Sequence, residues 1–405
     1  MIPLFAWRNI WRNKPRSLII ILSVTTGIFA GVFLMAFFNG MVNSRVEAVV
    51  RTEMSHIQIH QPGFSDNDQF SLRLTNCRSL IGELTNQSHV VAVSKRIVAN
   101  AMIASSENSF GVTIKGVDPK TETEVTDLHS KIIEGSYLRE ELHNPVIISD
   151  RLASKLKVRL HQKIVLTLQD DHNNIVAGAF KIAGLFQTDN QMFDEGIVFV
   201  NNRDIARLTD IEEQEAHEIA IVIDQNKNTQ TTVDGLRALF PHLDIKTWLE
   251  LSPEAGALVG MMNQYTYIFT LIILLALCFG IVNTMLMVVL ERTRELGMLL
   301  AIGMNRTRVF LMIMTETLFL AITGGVPGIL LGWVATGYFR DKGIDLYFWK
   351  DAFGDIGFSS IIYPVVEIHT IVFTALMVMV TGVMAALYPA YRAMQLKPSK
   401  ALQTN

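Results

Sequence analysis

Hydrophobic residues run almost unbroken through four stretches of the chain, at about 17–38, 267–290, 309–339 and 368–388. Tyr267 to Leu290 holds no charged residue, and Val309 to Phe339 holds only Glu316. A bilayer core of about 30 Å needs roughly 20 helical residues. Each stretch is therefore predicted to be a transmembrane helix.

Residues 56–250 have a different rhythm. His56, Gln58 and His60 alternate with Ile57 and Ile59, which is the period of a strand. A helix with Leu80 and Leu84 inward comes next, then strands at Val90 to Ile103 and Val112 to Val117. Further on, HEIAIVID reads as a strand, Thr229 to Phe240 as a helix with Val233, Leu236 and Phe240 inward, and LDIKTW as a strand. Between these β-α-β units VIIS, KIVLTLQ, AFKIAGLF and GIVFV read as strands separated by turn clusters such as DDHNN. The pattern predicts an α-helical membrane protein with four transmembrane helices and a large α+β domain inserted between helices 1 and 2.

Polar positions at the ends of the apolar runs predict how they are joined. Leu4, Trp7, Ile10 and Trp11 fall near one side of an N-terminal segment, Arg8 and Arg12 on another, and Pro15 closes it. That is an amphipathic helix lying in the membrane interface. Val42, Val46, Val49 and Val50 extend the first span outward to about Ser55, and Ser252 and Pro253 form an N-cap and N1 pair ahead of the second. A helix from there through Leu290 has about 38 residues and reaches roughly 57 Å, more than a bilayer core requires, so both spans are expected to project as a stalk. The charged link from Glu291 to Phe310 sets Leu296, Leu299, Leu300 and Gly303 on one side and Arg292, Glu295 and Met298 on the other. It is predicted to be a short helix flat under the membrane.

Charge assigns the sides. The segments that share a face carry Arg8, Arg12, Lys14 and Arg16, then Arg292, Arg294, Arg306 and Arg308, then Arg392, Lys397 and Lys400, against Glu291 and Glu295. By the positive-inside rule this face, with both termini, is expected to be cytoplasmic and residues 41–265 to lie outside. The first apolar run is longer than the roughly 7–15 residues of a signal-peptide core, so it is expected to stay uncleaved. Cys77 and Cys278 fall in different compartments, so no disulfide within the chain is expected.

Of 405 residues, 50% are hydrophobic and 18% charged, which excludes an ordinary soluble protein. No G-x-x-x-x-G-K-[ST] phosphate loop occurs, no Cys/His cluster has zinc spacing, and no basic, aromatic-interleaved stretch suggests nucleic acid. His56 and His60 lie four apart on a strand, about 13 Å, too far for one metal ion. No catalytic residue, metal or cofactor is therefore expected in this chain. Gly27 and Gly31, and Gly324, Gly328 and Gly332 with Pro327 among them, have the spacing of close helix packing in lipid. Glu316, about two turns into the third span, is a proton-carrying group, the partner of a basic link residue, or a side chain that snorkels to the interface.

The link reads ER-x-RE-x-G-x-L-x-A-I-G, carried by Glu291, Arg292, Arg294, Glu295, Gly297, Leu299, Ala301, Ile302 and Gly303. It resembles the coupling helix of ABC-transporter permeases of the MacB/LolE/FtsX superfamily (type VII), although Leu300 stands where many members have a basic residue. The opening AWRNIWRNKPRS and the strand SHIQIHQPGF resemble LolE-type members, and YPAYRAMQLKPSKAL resembles the family's ending.

The resemblance implies an interfacial helix (residues 1–16), a first span with stalk (17–55) and an outer, periplasmic domain (56–250). That domain would comprise a Porter-like part (56–124 and 211–250) around a Sabre-like insertion (125–210). The second stalk and span (251–290), coupling helix (291–308), third span (309–339), outer cap (340–367), fourth span (368–389) and cytoplasmic tail (390–405) follow. It further implies a separate cytoplasmic ATPase that holds the ATP and Mg, a second permease chain, identical or paralogous, and action by mechanotransmission in a bacterial inner membrane. Lipoprotein release towards the outer membrane is the leading expectation. MacB-like efflux of a peptide or small molecule through a periplasmic adaptor, and FtsX-like control of a cell-wall hydrolase, are the alternatives. In lipoprotein-exporting members a long hairpin captures a periplasmic chaperone; the corresponding hairpin here, Ile164 to Leu185, is short.

Overall fold

The computed structural model describes residues 2–12, 14–67, 69–139, 142–172, 174–355, 357–366 and 368–395. Lys397, Lys400 and the rest of the family-like ending beyond Gln395 lie outside these residues, as does Glu367.

In chain order, α1 (Ile2–Arg12) precedes α2 (Lys14–Ala48), which widens into a π-helical turn over Val49–Glu53. Then come β1 (Ile57–His60), α3 (Phe64–Asn67), α4 (Cys77–Thr85), β2 (Val90–Ala104), β3 (Ser109–Val117) and α5 (Pro119–Val125). β4 (Ile132–Gly135), β5 (Pro145–Ser149), α6 (Asp150–Leu156), β6 (Lys163–Gln169), β7 (Ile175–Phe186), α7 (Gln191–Gly196), β8 (Ile197–Asn201) and α8 (Asn202–Thr209) follow. β9 (Glu218–Ile223), α9 (Thr229–Leu239), β10 (Asp244–Thr247) and α10 (Trp248–Leu251) complete that region. The remainder is α11 (Pro253–Glu291), α12 (Thr293–Ala301), α13 (Arg306–Lys342), β11 (Ile344–Asp345), α14 (Lys350–Asp355), β12 (Ile361–Ile362) and α15 (Ile368–Met394).

Contacts divide the chain into two compact units. One holds the residues up to Val42, Gly260–Asp345 and the residues from Ile361 onward; the other holds Asn43–Val259 and Leu346–Ser360. Among the described residues, four helices are long and apolar enough to cross a membrane: Ser17–Glu53, Pro253–Glu291, Arg306–Lys342 and Ile371–Met394.

In the first unit, Ile20, Val24, Ile28 and Val32 on α2, one turn apart, pack with Leu277, Ile281 and Met285 on α11, Ile313 and Leu320 on α13 and Val378 on α15. The glycines of α13 set how close two of these helices come. A Cβ on Gly324 would stand 2.7 Å from the Ile21 carbonyl oxygen, one on Gly328 2.8 Å from that of Thr25, and one on Gly332 2.9 Å from a Val32 methyl. Small residues one turn apart thus let backbone meet backbone, which supplies dispersion contact where lipid removes the hydrophobic drive. Gly27 faces Leu277, and Gly31 faces Thr374, so both serve packing within the chain.

In the second unit ten strands form one sheet in the order β10-β1-β9-β2-β3-β8-β5-β7-β4, with β6 paired to β2 and β7. β2, 15 residues long, serves two cores. Val93 joins Ile57, Ile59, Leu84, Ile221 and Leu236, whereas Ile97, Ala99 and Ile103 join Ile114, Ile148, Leu166 and Phe180. Ile97–Ile103 and Ile114 share a core with residues of the 125–210 stretch.

Buried charge fastens the end of the π-helical turn to this sheet. Arg96, 1% exposed, meets Glu122 at 2.7 Å and Glu218 at 2.5 Å and donates to the Met54 carbonyl at 3.0 Å. Lys115 donates to the Glu53 carbonyl at 2.9 Å, and Arg45 pairs with the Glu53 carboxylate at 2.5 Å. Burial alone would raise the Glu218 carboxyl, but Arg96 and Lys115 outweigh it and hold the group below its ordinary value. Such a cluster is tolerable only because each charge has partners, and removing one member strands the others.

Candidate functional site

The link between the second and third apolar helices is built from two helix ends placed one residue apart. α11 stops at Glu291 and α12 starts at Thr293, so Arg292 alone lies between them, with φ −94° and ψ 14°. α12 turns Leu296 and Gly297 inward and leaves Arg294, Glu295, Met298 and Ala301 exposed. Leu299 and Leu300 pack partly on the helical core.

The A-I-G motif ends α12. Gly303 has φ +100°, a left-handed conformation that a side chain resists, and the Met304 N–H reaches the Leu299 carbonyl at 3.0 Å while the Gly303 N–H reaches that of Leu300 at 3.1 Å. This is the Schellman closure of a helix, with Met304 and Leu299 on the same apolar core. It pushes Ile302 outward, 80% exposed. Asn305 then caps α13, its side chain accepting from the Thr307 N–H at 3.1 Å. The helix is thus narrower than the 291–308 link: Thr293–Ala301, followed by a turn.

Four charges connect this link to its neighbours. Arg12 of α1 meets Glu295 at 2.5 Å, Arg292 meets Glu295 at 3.2 Å, and Arg292 meets Glu316 of α13 at 3.2 Å. The hydrogen bond from Arg12, with Arg292 beside it, holds the Glu295 carboxyl below the usual carboxylate range. Glu316 is buried. The sequence places Arg12 on the polar side of the interfacial helix; no local spacing could have paired it with a residue 283 positions away. Trp7 packs edge-on against Phe319 at 5.8 Å, so α1 leans on α13.

A second feature of the same unit is a groove of about 810 Å³ among α2, α11 and α15, walled by Met35, Tyr267, Val372 and Leu376, with Asn39 and Asn263 as polar edges. Among the described residues no cluster of His, Cys, Asp and Glu could hold a metal ion.

Residues 267–398 match the model of the FtsX-like permease C-terminal domain, and residues 17–239 match that of the MacB-like periplasmic core domain. The chain belongs to the MacB/LolC type of ABC-transporter permeases. The permease is 21% identical over 375 residues to the lipoprotein-releasing system transmembrane protein LolC of Neisseria meningitidis serogroup B, covering 87% of each chain. It is 39% identical over 124 residues to the macrolide export ATP-binding/permease protein MacB of Nitrobacter winogradskyi, covering 30% of this chain and 16% of that one. Among solved structures, the periplasmic region of MacB from Actinobacillus actinomycetemcomitans is similar with a TM-score of 0.35 at 12% identity, over 50% of this chain and 92% of that one. The permease is a multi-pass protein of the inner membrane, and its family implies an ATPase partner.

Proposed function

We propose that this permease releases lipoproteins from the inner membrane by mechanotransmission. ATP and Mg bind in a separate cytoplasmic ATPase, and this chain carries no catalysis of its own. α12 seats in the ATPase through its exposed edge, where Met298 and Ile302 supply apolar contact and Arg294 supplies charge. Exposed apolar side chains beside charge at a helix end suit a protein groove.

Closure of two ATPases would draw two such helices together in an assembly of two permease chains, identical or paralogous. The α+β domain, inserted between the first two spans and facing the periplasm, then changes position through the outward ends of those helices. Both termini and α12 lie on the cytoplasmic side.

The observation that carries the cargo assignment is the apolar groove among α2, α11 and α15. Its volume falls in the range of about 300–1,000 Å³ typical of ligand sites, and its walls match acyl chains, while Asn39 and Asn263 offer hydrogen bonds to a polar linkage. The LolC relative's match over most of both chains points the same way.

The test is a photo-crosslinking residue at Val372, introduced into the permease in its native membrane. A lipoprotein adduct is expected, lost on adding ATP. An adduct with a periplasmic adaptor or a cell-wall hydrolase, and none with lipoprotein, overturns the assignment in favour of efflux or hydrolase control.

A further inference from the structure

We propose that Glu316 is a positioning residue for the joint between α11 and α12: it holds Arg292 so that a displacement of α12 is delivered to α13 as well as to α11. The proposal rests on the reading of α12 as the ATPase-docking element.

The two ends of α12 differ in stiffness. At its start only Arg292 is out of helical conformation, and backbone bonds bracket it: its N–H reaches the Val288 carbonyl at 3.2 Å, and the Leu296 N–H reaches its own carbonyl at 2.9 Å. Motion there is confined to two dihedral angles of one residue. At its far end the chain passes through four residues, Ile302, Gly303, Met304 and Asn305, before α13 begins, so more backbone dihedral angles separate α12 from α13 than from α11. Through the backbone alone, α12 would drive α11 firmly and α13 loosely.

The Arg292 side chain bypasses the loose end. Its Nη1 donates to both Glu316 oxygens, at 3.3 and 3.2 Å, and so ties the stiff joint directly to the third membrane helix. This tie is shielded, with side-chain exposures of 13% and 7%, whereas the Arg12–Glu295 pair is half exposed. A shielded ion pair fails badly when one partner is removed, while an exposed one is weak and easily exchanged. The inner tie is therefore the fixed one, and the outer pair is the one a docking partner can replace. Glu316 also differs from a proton carrier: both its oxygens are engaged by Arg292, and α1 packs against α13 one turn away through Trp7 and Phe319.

The experiment is hydrogen exchange on the full permease with its copurified ATPase in lipid nanodiscs, with and without ATP and vanadate. In the native complex, nucleotide is expected to alter exchange in residues 291–303 and 306–325. Glu316→Gln is expected to keep the ATPase and the response of 291–303 but to lose that of 306–325. The charge-exchanged double variant, Arg292→Glu with Glu316→Arg, is expected to regain it, which a merely structural role for either residue does not predict. A retained response of 306–325 in Glu316→Gln overturns the proposal and leaves the docking reading intact. No response of 291–303 in the native complex overturns the docking reading, and the proposal with it. If Glu316→Gln loses protection without nucleotide, the charge-exchanged double variant decides: restored protection without a restored response of 306–325 overturns the proposal.

Discussion

The Thr25 hydroxyl donates to the Gly324 carbonyl at 2.9 Å, a side-chain-to-backbone bond between two membrane helices that only a glycine surface allows. One turn further on, a Cβ at Gly328 would lie 2.8 Å from the Thr25 carbonyl oxygen and 2.9 Å from the Ile28 Cβ, neither of which can rotate away. Gly328→Leu is expected to part α2 from α13 and to destabilise the permease by at least the ~1–3 kcal/mol of an overpacked site. Thermal unfolding in mild detergent measures this, with Gly280→Ala as the control because nothing lies within 4 Å of a Cβ there.

His217 has both ring nitrogens engaged in a way that needs the neutral form. Nε2 meets the Phe70 carbonyl at 2.8 Å as a donor, while Nδ1 accepts from the Val98 N–H at 3.3 Å. Burial lowers its pKa to about 4, and burial likewise lowers His56 to about 4. Between the ordinary value near 6.5 and about 4, the unfolded chain binds more protons than the folded one, so stability falls as pH falls through that window. Each histidine would contribute up to about 3 kcal/mol of this loss. Denaturation of the full permease at pH 7 and pH 4.5, read by exchange at residues 217–223, checks it. His217→Gln, which keeps a donor and an acceptor without a titrating group, should flatten the dependence.

The exposed edge of α12 separates docking from folding. Ile302→Asp changes a side chain that touches little of its own chain, and it is expected to abolish copurification of the ATPase with no loss of membrane insertion. Gly303→Ala has room for its methyl but not a comfortable φ, so it should cost roughly 1 kcal/mol and fray the helix end. Its effect on ATPase copurification is expected to be partial. Glu295→Lys would place a third cation between Arg12 and Arg292 and should free α1; unchanged protease sensitivity of residues 2–12 would contradict the pairing.

Sealed inside-out vesicles expose the cytoplasmic face to added protease. Residues 41–265 are expected to be spared, and the link around Arg294 and Arg306 to be cut. Cleavage inside 41–265 in intact vesicles would reverse the proposed orientation.

What could be read in advance was whatever repeats at short range. The four apolar helices follow from composition over about 20 residues, and the glycine face of α13 from spacing of four. Local geometry decides each of these, so local sequence reveals it. Most partners of charges were hidden. Arg12 and Glu295, and Arg96 with Glu122 and Glu218, meet only because helices and strands distant in sequence pack side by side, whereas a basic link residue as partner of Glu316 was among the readings of its position and packing decided that it is Arg292. The two cores shared by β2 were hidden for the same reason, since alternation says which residues face inward but not which neighbours they meet. Arg12 on an interfacial helix and Glu316 in the third span thus became the two ends of one chain of ion pairs, a relation that tertiary packing alone creates.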